Sequence, residues 1–285
     1  MLKKKYLLIV FSIIMITSCS NDDKGSNIFY SSIDNQNIYY SEFGDDDNPD
    51  ILMIHGLMGS SSSFNFITSE LAEKFHVTAI DLPGHGDSNL QIPFDLNNLT
   101  YVVEEFINEK FSNPIDVIGY SLGGTILNNL ATNQKGLLNS IILIDPWFSN
   151  NTTTDSLAFK FLSVIEKNAK KSWVEPKDSL GYVKNMNSEL TEDKQQIISK
   201  NRFDYDIRIW DNSIQKGTLI NKPQNSINTS VLLIKPSMSL IKEMQINKIN
   251  ENFENIIIEE IPNTTHMIIF ENPEEISKLV SEFVK

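Results

Sequence analysis

"DVIGYSLGGTILNNL" (residues 116–130) decides the reading of this chain. An apolar run leads into Ser121, which has Gly119 two residues before it and Gly123 two residues after it, and helix-forming sequence follows directly. A serine hydroxyl is a weak nucleophile unless it is held exposed beside a base. A tight strand-to-helix turn holds it so, with the serine in a strained backbone conformation. The neighbours at minus two and plus two must then be small, or the turn closes on their side chains. Gly119-Tyr120-Ser121-Leu122-Gly123 meets that demand. The helix behind it also aims backbone N–H groups and the positive end of its dipole at any negative charge that develops there.

Outward from this turn the chain alternates. Short apolar runs at 51–54, 77–80, 115–118 and 140–144 read as buried strands, and 64–75, 96–111 and 122–133 read as helices. In the first helix Phe64, Ile67, Leu71 and Phe75 fall on one face. Upstream, 27–44 reads as two strands around the turn "DNQN". The rhythm predicts a parallel sheet with helices on both faces. It breaks over 146–228, which has helical stretches and no convincing strand, and resumes with a strand at 231–234, a helix near 238–251, a strand at 255–261 and a last helix from 273 to 284. The expected fold is therefore α/β: a mostly parallel eight-stranded sheet flanked by helices, built from 28–145 and 229–285, with 146–228 inserted as a helical cap. Trp147, Trp173 and Trp210, with Phe148, Phe159, Phe161, Phe203 and Tyr205, all lie in that insertion. Most of them read as its own core; some can roof an apolar pocket.

The chain has 285 residues, 40% of them hydrophobic, enough for one large domain with an insertion. A net charge of -13 excludes nucleic acid as a partner, because phosphate binding needs a basic face. Cys19 is the only cysteine, so no intrachain disulfide and no cysteine-rich metal site can form. Neither a metal nor an organic cofactor is expected. Residues 1–18 carry Lys3, Lys4 and Lys5 and then an apolar run from Tyr6 to Ile16, too short to span a bilayer and suited to a signal peptide. "ITSC", ending at Cys19, resembles a bacterial lipobox. The resemblance implies cleavage before Cys19, lipidation of its thiol, and an exported lipoprotein anchored to a membrane on its periplasmic or cell-surface face. Residues 19–27 then form a polar tether.

Three stretches together, "IHGLMGSSSSF" (54–64), "AIDLPGHGDS" (79–88) and "VIGYSLGG" (117–124), resemble the α/β-hydrolase fold family. The resemblance covers nearly all of 28–285, in the expected order and with a cap in the expected place. It implies that Ser121 is the nucleophile and that the backbone N–H groups of Leu57 and Leu122 form an oxyanion hole. On this scaffold the triad runs serine, acid, histidine. Of the four histidines, His55, His76, His85 and His266, only His266 follows Ser121. His55 and His85 read as loop-shaping or pocket-edge residues and His76 as structural.

The acid departs from the commonest family pattern. That pattern puts an aspartate after strand 231–234, where this chain has Ser239 in "KPSMSLIKE" (235–243) and no carboxylate before Glu243. Asp145, at the end of the preceding strand in "SIILIDPW", occupies a position that some lipases and dehalogenases of the family use for their acid. Asp145 is taken as the acid; Glu243, and no carboxylate at all, stay open. With Asp145 in that role, Ser239→Ala is expected to be nearly silent. The resemblance implies a serine hydrolase that cleaves a carboxylic ester, thioester or lactone of a small acyl substrate through an acyl-enzyme on Ser121. The alternatives are a carbon–carbon bond hydrolase on the same scaffold and a non-catalytic ligand-binding lipoprotein.

Overall fold

The computed structural model describes residues 27–33, 36–90, 93–133, 136–147, 153–212, 229–239, 246 and 253–284. The signal peptide, Cys19, Glu243, Phe148 and nearly all of the helix expected near 238–251 lie outside the described residues. Eight strands form one sheet: β1 (Asn27–Ile33), β2 (Gln36–Phe43), β3 (Asp50–Ile54), β4 (His76–Ile80), β5 (Ile115–Tyr120), β6 (Leu138–Ile144), β7 (Ser230–Pro236) and β8 (Ile256–Ile261). Their order is β1-β2-β4-β3-β5-β6-β7-β8. β1 and β2 pair antiparallel, as do β2 and β4, and all later pairs are parallel. This is the mostly parallel, eight-stranded α/β architecture that the strand–helix rhythm predicts.

The inner strands are apolar almost throughout because both of their faces are covered. Successive side chains alternate between the faces. Leu52, Ile54, Val117, Ile141, Leu143 and Leu233 pack on one side with Leu99, Val102 and Phe106 of α2 (Leu96–Lys110) and Ile126 and Leu130 of α3 (Leu122–Asn133). Ile51, Met53, Ile118, Ile142, Ile144 and Leu232 pack on the other, with Ile67 and Leu71 of α1 (Asn65–Leu71) and a helix near the C-terminus. Each such side chain stabilises the fold by about 1.5–3 kcal/mol when fully buried. The first helix is shorter than its periodicity suggests. A 3₁₀ turn, Ser61–Phe64, comes first, capped by Ser60, whose side chain and that of Ser63 form a capping box.

After β6 the described chain runs through α4 (Thr153–Lys170), α5 (Pro176–Met186), α6 (Glu192–Asp204) and α7 (Ile209–Asn212) before β7. Within 146–228 the described residues hold helices and no strand. Trp210 and Tyr205 are fully buried there and join the core on the α2–α3 side, with the indole N–H donating to the Tyr205 hydroxyl at 3.2 Å. Trp173 packs on Tyr182, with ring centroids 5.7 Å apart. Beyond β8 come α8 (Ile268–Glu271) and α9 (Pro273–Phe283), the latter packing Ile276 and Val280 onto the α1 side of the sheet.

Strand order positions the site. β4 lies on one side of β3 and β5 on the other, so the chain reverses direction across the sheet between them. Open α/β sheets bind ligands outside the carboxyl ends of strands at such a switch point. Register brings three strand ends level: Ile54 pairs with Gly119, Tyr120 with Ile144, and Ile144 with Ile234. The residues that follow β5 and β6 are Ser121 and Asp145.

Candidate active site

Ser121 takes φ 52°, in the left-handed region that a side-chain-bearing residue adopts only under constraint. The constraint comes from both sides. The Ser121 N–H donates to the Ile144 carbonyl at 3.0 Å, and the Ser121 carbonyl accepts from the Thr125 N–H at 3.1 Å in the first turn of α3. A methyl group at Gly119 would lie 2.6 Å from the Gly123 carbonyl, and one at Gly123 would lie 2.1 Å from the Ile54 carbonyl oxygen. Both glycines are thus required by backbone packed against backbone.

His266 sits between β8 and α8. Its ring is placed by several independent contacts. The Tyr120 hydroxyl donates to the His266 carbonyl at 2.5 Å, and the Tyr120 ring stacks on the imidazole with centroids 5.1 Å apart. Burial, reinforced by the charges of Asp145 and Glu271, pushes the Tyr120 phenol up, so it stays a donor. Thr265 is tied through its N–H and its hydroxyl to the Glu271 carboxylate, each at 2.6 Å. The Met238 N–H donates to the Thr264 carbonyl at 3.1 Å, which ties the loop after β7 to the histidine loop.

The three side chains meet. His266 Nε2 lies 3.1 Å from Ser121 Oγ, and His266 Nδ1 lies 2.7 Å from Asp145 Oδ2. An ionised carboxylate only accepts hydrogen bonds, so Nδ1 carries the proton and Nε2 is left to accept from the serine hydroxyl. Asp145 is fully buried, at φ 38°, with its N–H on the Ile234 carbonyl at 2.9 Å. Its second oxygen, Oδ1, accepts the hydroxyl of Ser239. Sequence reasoning took Ser239 as a bystander; in the structure it holds the carboxylate. Glu243 lies outside the described residues.

The loop after β3 approaches the serine closely: a methyl group on Gly56 would stand 3.0 Å from Ser121 Cβ. Two buried histidines set this loop. His55 Nδ1 donates to the Gly56 carbonyl at 2.7 Å, and the Leu82 N–H donates to His55 Nε2 at 2.9 Å. His85 Nδ1 donates to the Pro83 carbonyl at 3.1 Å, and the Met58 N–H donates to His85 Nε2 at 3.0 Å. Burial holds His55 down at about 4; burial and the neighbouring His55 hold His85 at about 3. Both are neutral with fixed tautomers. They shape loops, as the sequence suggests, and His76 pairs with Asp50 at 2.8 Å away from the site.

The Gly56 carbonyl also accepts from the Gly59 N–H at 3.0 Å. Because a trans peptide points its C=O and N–H to opposite sides, this turns the Leu57 N–H away from the loop's own bonds. Leu57 N–H and Leu122 N–H, the first of α3, have no recorded acceptor among the described residues, and both residues line the cavity above Ser121.

That cavity has a volume of about 410 Å³. Its walls are mainly apolar, with Met58, Trp147, Leu162, Ile198, Met267 and Phe270 among them. Trp147 therefore faces the cavity, whereas Trp210 belongs to the core. α6 forms part of the roof and is locked to the serine tract after β3. Asn201 Oδ1 accepts from the hydroxyls of Ser60 at 2.7 Å and Ser62 at 2.9 Å, and its Nδ2 donates to Ser63 Oγ at 3.0 Å. Sequence reasoning missed Asn201, and Arg202 beside it.

Comparison with known proteins agrees with the fold. Residues 49–255 match the family described as alpha/beta hydrolase fold. An uncharacterized hydrolase of Bacillus subtilis, YugF, is 23% identical over 267 residues, spanning 89% of this chain and 96% of that one. Ethanol acetyltransferase 1 of Wickerhamomyces anomalus is 24% identical over 283 residues, spanning 82% of this chain and 68% of that protein. Among solved structures, a lipase candidate from Acinetobacter baumannii superposes with a TM-score of 0.74 at 21% identity, covering 91% of each chain. At that identity the likeness is one of fold.

Proposed function

Since the chain belongs to the α/β-hydrolase fold family, we propose that it is a serine hydrolase that cleaves carboxylic esters through an acyl-enzyme on Ser121. The observation that carries this reading is the continuous relay from Asp145 through His266 to the Ser121 hydroxyl, at 2.7 and 3.1 Å. His266 Nε2 takes the serine proton as Oγ attacks the acyl carbon. The carbonyl oxygen, now negative, is held by the N–H groups of Leu57 and Leu122 in a mainly apolar cavity, which strengthens such bonds. The imidazolium is stabilised by Asp145 and then hands its proton to the departing alcohol. Water enters, His266 activates it, and the acid leaves as the hydroxyl is restored.

One named relative supports acyl chemistry: Ethanol acetyltransferase 1, by its name, moves an acetyl group onto an alcohol oxygen. Thioesters and lactones demand the same steps. The test is hydrolysis of nitrophenyl esters of graded acyl length by the chain from Ser20 onward. Turnover that disappears in Ser121→Ala supports the proposal; turnover that persists unchanged removes Ser121 from it.

We also propose that the chain is carried on a lipid anchor at Cys19, on the strength of the "ITSC" lipobox. Two acyl chains suffice for stable attachment, at about 0.8 kcal/mol per buried methylene. Cys19→Ser should shift the protein from the membrane fraction to the soluble one; unchanged membrane association contradicts the anchor.

A further inference from the structure

Among the described residues the cavity has one permanently charged wall: Arg202, on α6, lines it, whereas the other described lining side chains besides His266 are uncharged. Its guanidinium is held from behind by Glu166 of α4, which is fully buried, with Nη1 donating to Oε1 at 2.5 Å. The Tyr182 hydroxyl donates to the same Oε1 at 3.1 Å, and Glu166 Oε2 has no hydrogen-bond partner among the described residues. The pairing is therefore single, not the two-bond fork that arginine and a carboxylate favour. Besides Glu166, the guanidinium among the described residues meets Met58, with Nη1 to Sδ at 3.9 Å, and lies over the Tyr182 ring, 5.6 Å from its centroid. No acceptor for Nε or Nη2 is recorded among the described residues. Ser63, on the same cavity, accepts from the Ser60 N–H at 3.2 Å and from Asn201, and its own proton has no acceptor among the described residues.

A buried Arg–Glu pair is close to break-even as a stabilising device, so stability alone gives weak grounds for placing one over a catalytic cavity. A donor-only fork on a mainly apolar cavity calls for an acceptor that the described residues do not supply, and a ligand carboxylate provides two oxygens for it. We propose that Arg202 is a specificity-determining residue that selects acyl groups ending in a carboxylate, so that the preferred substrates are monoesters of dicarboxylic acids. This deepens the hydrolase reading and rests on it. The ester lies at Ser121 and the distal carboxylate at Arg202, with Ser63 adding a hydroxyl donor and the apolar walls covering the chain between.

The test measures kcat/KM for methyl monoesters of straight-chain dicarboxylic acids of increasing length, each beside the methyl ester of the monocarboxylic acid of equal length. The wild type should prefer the monoester by about tenfold or more at some length in the series. Arg202→Gln should lower that preference about 10- to 100-fold. Arg202→Lys keeps the charge without the fork and should retain part of it. Glu166→Gln removes the counter-charge and should raise it. A structural role alone would lower both substrates alike and leave the ratio unmoved in all three variants, which overturns the proposal. So does a wild type that prefers the neutral ester at every length. Should Arg202→Gln fail to fold, the opposite shifts expected of Arg202→Lys and Glu166→Gln decide the matter. Fluorophosphonate labelling of Ser121 separates the two levels: labelling without carboxylate preference overturns only the specificity, and loss of labelling removes the hydrolase reading as well.

Discussion

Ser239 donates its hydroxyl to Asp145 Oδ1, the one carboxylate oxygen that His266 does not use. The residue standing where the family commonly has its acid thus supports the acid that replaces it. Ser239→Ala should lower kcat about tenfold with little change in KM, since a hydrogen bond to a charged group is worth about 1.5–3 kcal/mol. Asp145→Asn should cost about 10⁴ in kcat, by analogy with the serine-protease triad, because the imidazole then loses its guided tautomer. Adding Ser239→Asp to Asp145→Asn should recover at least about tenfold of that loss. Steady-state kinetics on a nitrophenyl ester checks all three; a silent Ser239→Ala shows that the contact does not matter.

The elbow glycines make a steric prediction. Gly123→Ala drives a methyl group into the Ile54 carbonyl at 2.1 Å, so it should destabilise the fold by about 3 kcal/mol or more. Gly181→Ala, in α5 with nothing within 4 Å of the added carbon, should instead stabilise by up to about 1 kcal/mol through helix propensity. Urea unfolding of the two variants measures the contrast, and equal midpoints would contradict it.

Acid should loosen the loop after β3. His55 and His85 are held near 4 and 3 by burial, whereas the unfolded chain returns them to about 6.5. Below pH 6.5 the unfolded chain therefore binds more protons, and stability falls as the pH falls toward the folded values. The slope is up to about 1.4 kcal/mol per pH unit for each histidine, and it vanishes above about pH 7. His85→Asn should show a shallower fall between pH 7 and pH 5 than the wild type. Denaturant titrations at both pH values test this, and identical slopes would contradict it.

The contact between α6 and the serine tract also has a measurable consequence. Asn201→Ala leaves the hydroxyls of Ser60, Ser62 and Ser63 without their shared partner. The amides of α6 should then exchange with deuterium faster, at a cost of about 1–3 kcal/mol in local stability. Unchanged protection of α6 would show that the roof is held by something else.

How much of this was legible in the sequence depended on range. Elements whose signal is local were readable: the elbow from its glycines, the strands from short apolar runs, and His266 from its place after Ser121. β5 runs two residues past the expected strand, to Tyr120, because the elbow continues the ladder to the pairing of Tyr120 with Ile144. α6 gave no such signal for its docking. Its buried residues are Gln195, Ile198, Ser199 and Asn201, so it presents no apolar stripe and is fastened by polar contacts to a tract about 140 residues earlier. The Arg202–Glu166 pair is likewise invisible to periodicity, because it joins two helices whose facing sides only the tertiary fold selects. Ser239 was misjudged for a related reason: the family pattern compares residue types at a position, while the structure reveals which side chain that position touches.

The most direct measurement is active-site labelling with a fluorophosphonate, followed by mass spectrometry of the peptides. The account predicts a single phosphonyl adduct on Ser121, abolished in Ser121→Ala and strongly slowed in His266→Ala. An unlabelled wild type that is folded, or a label that lands on another residue, would contradict it.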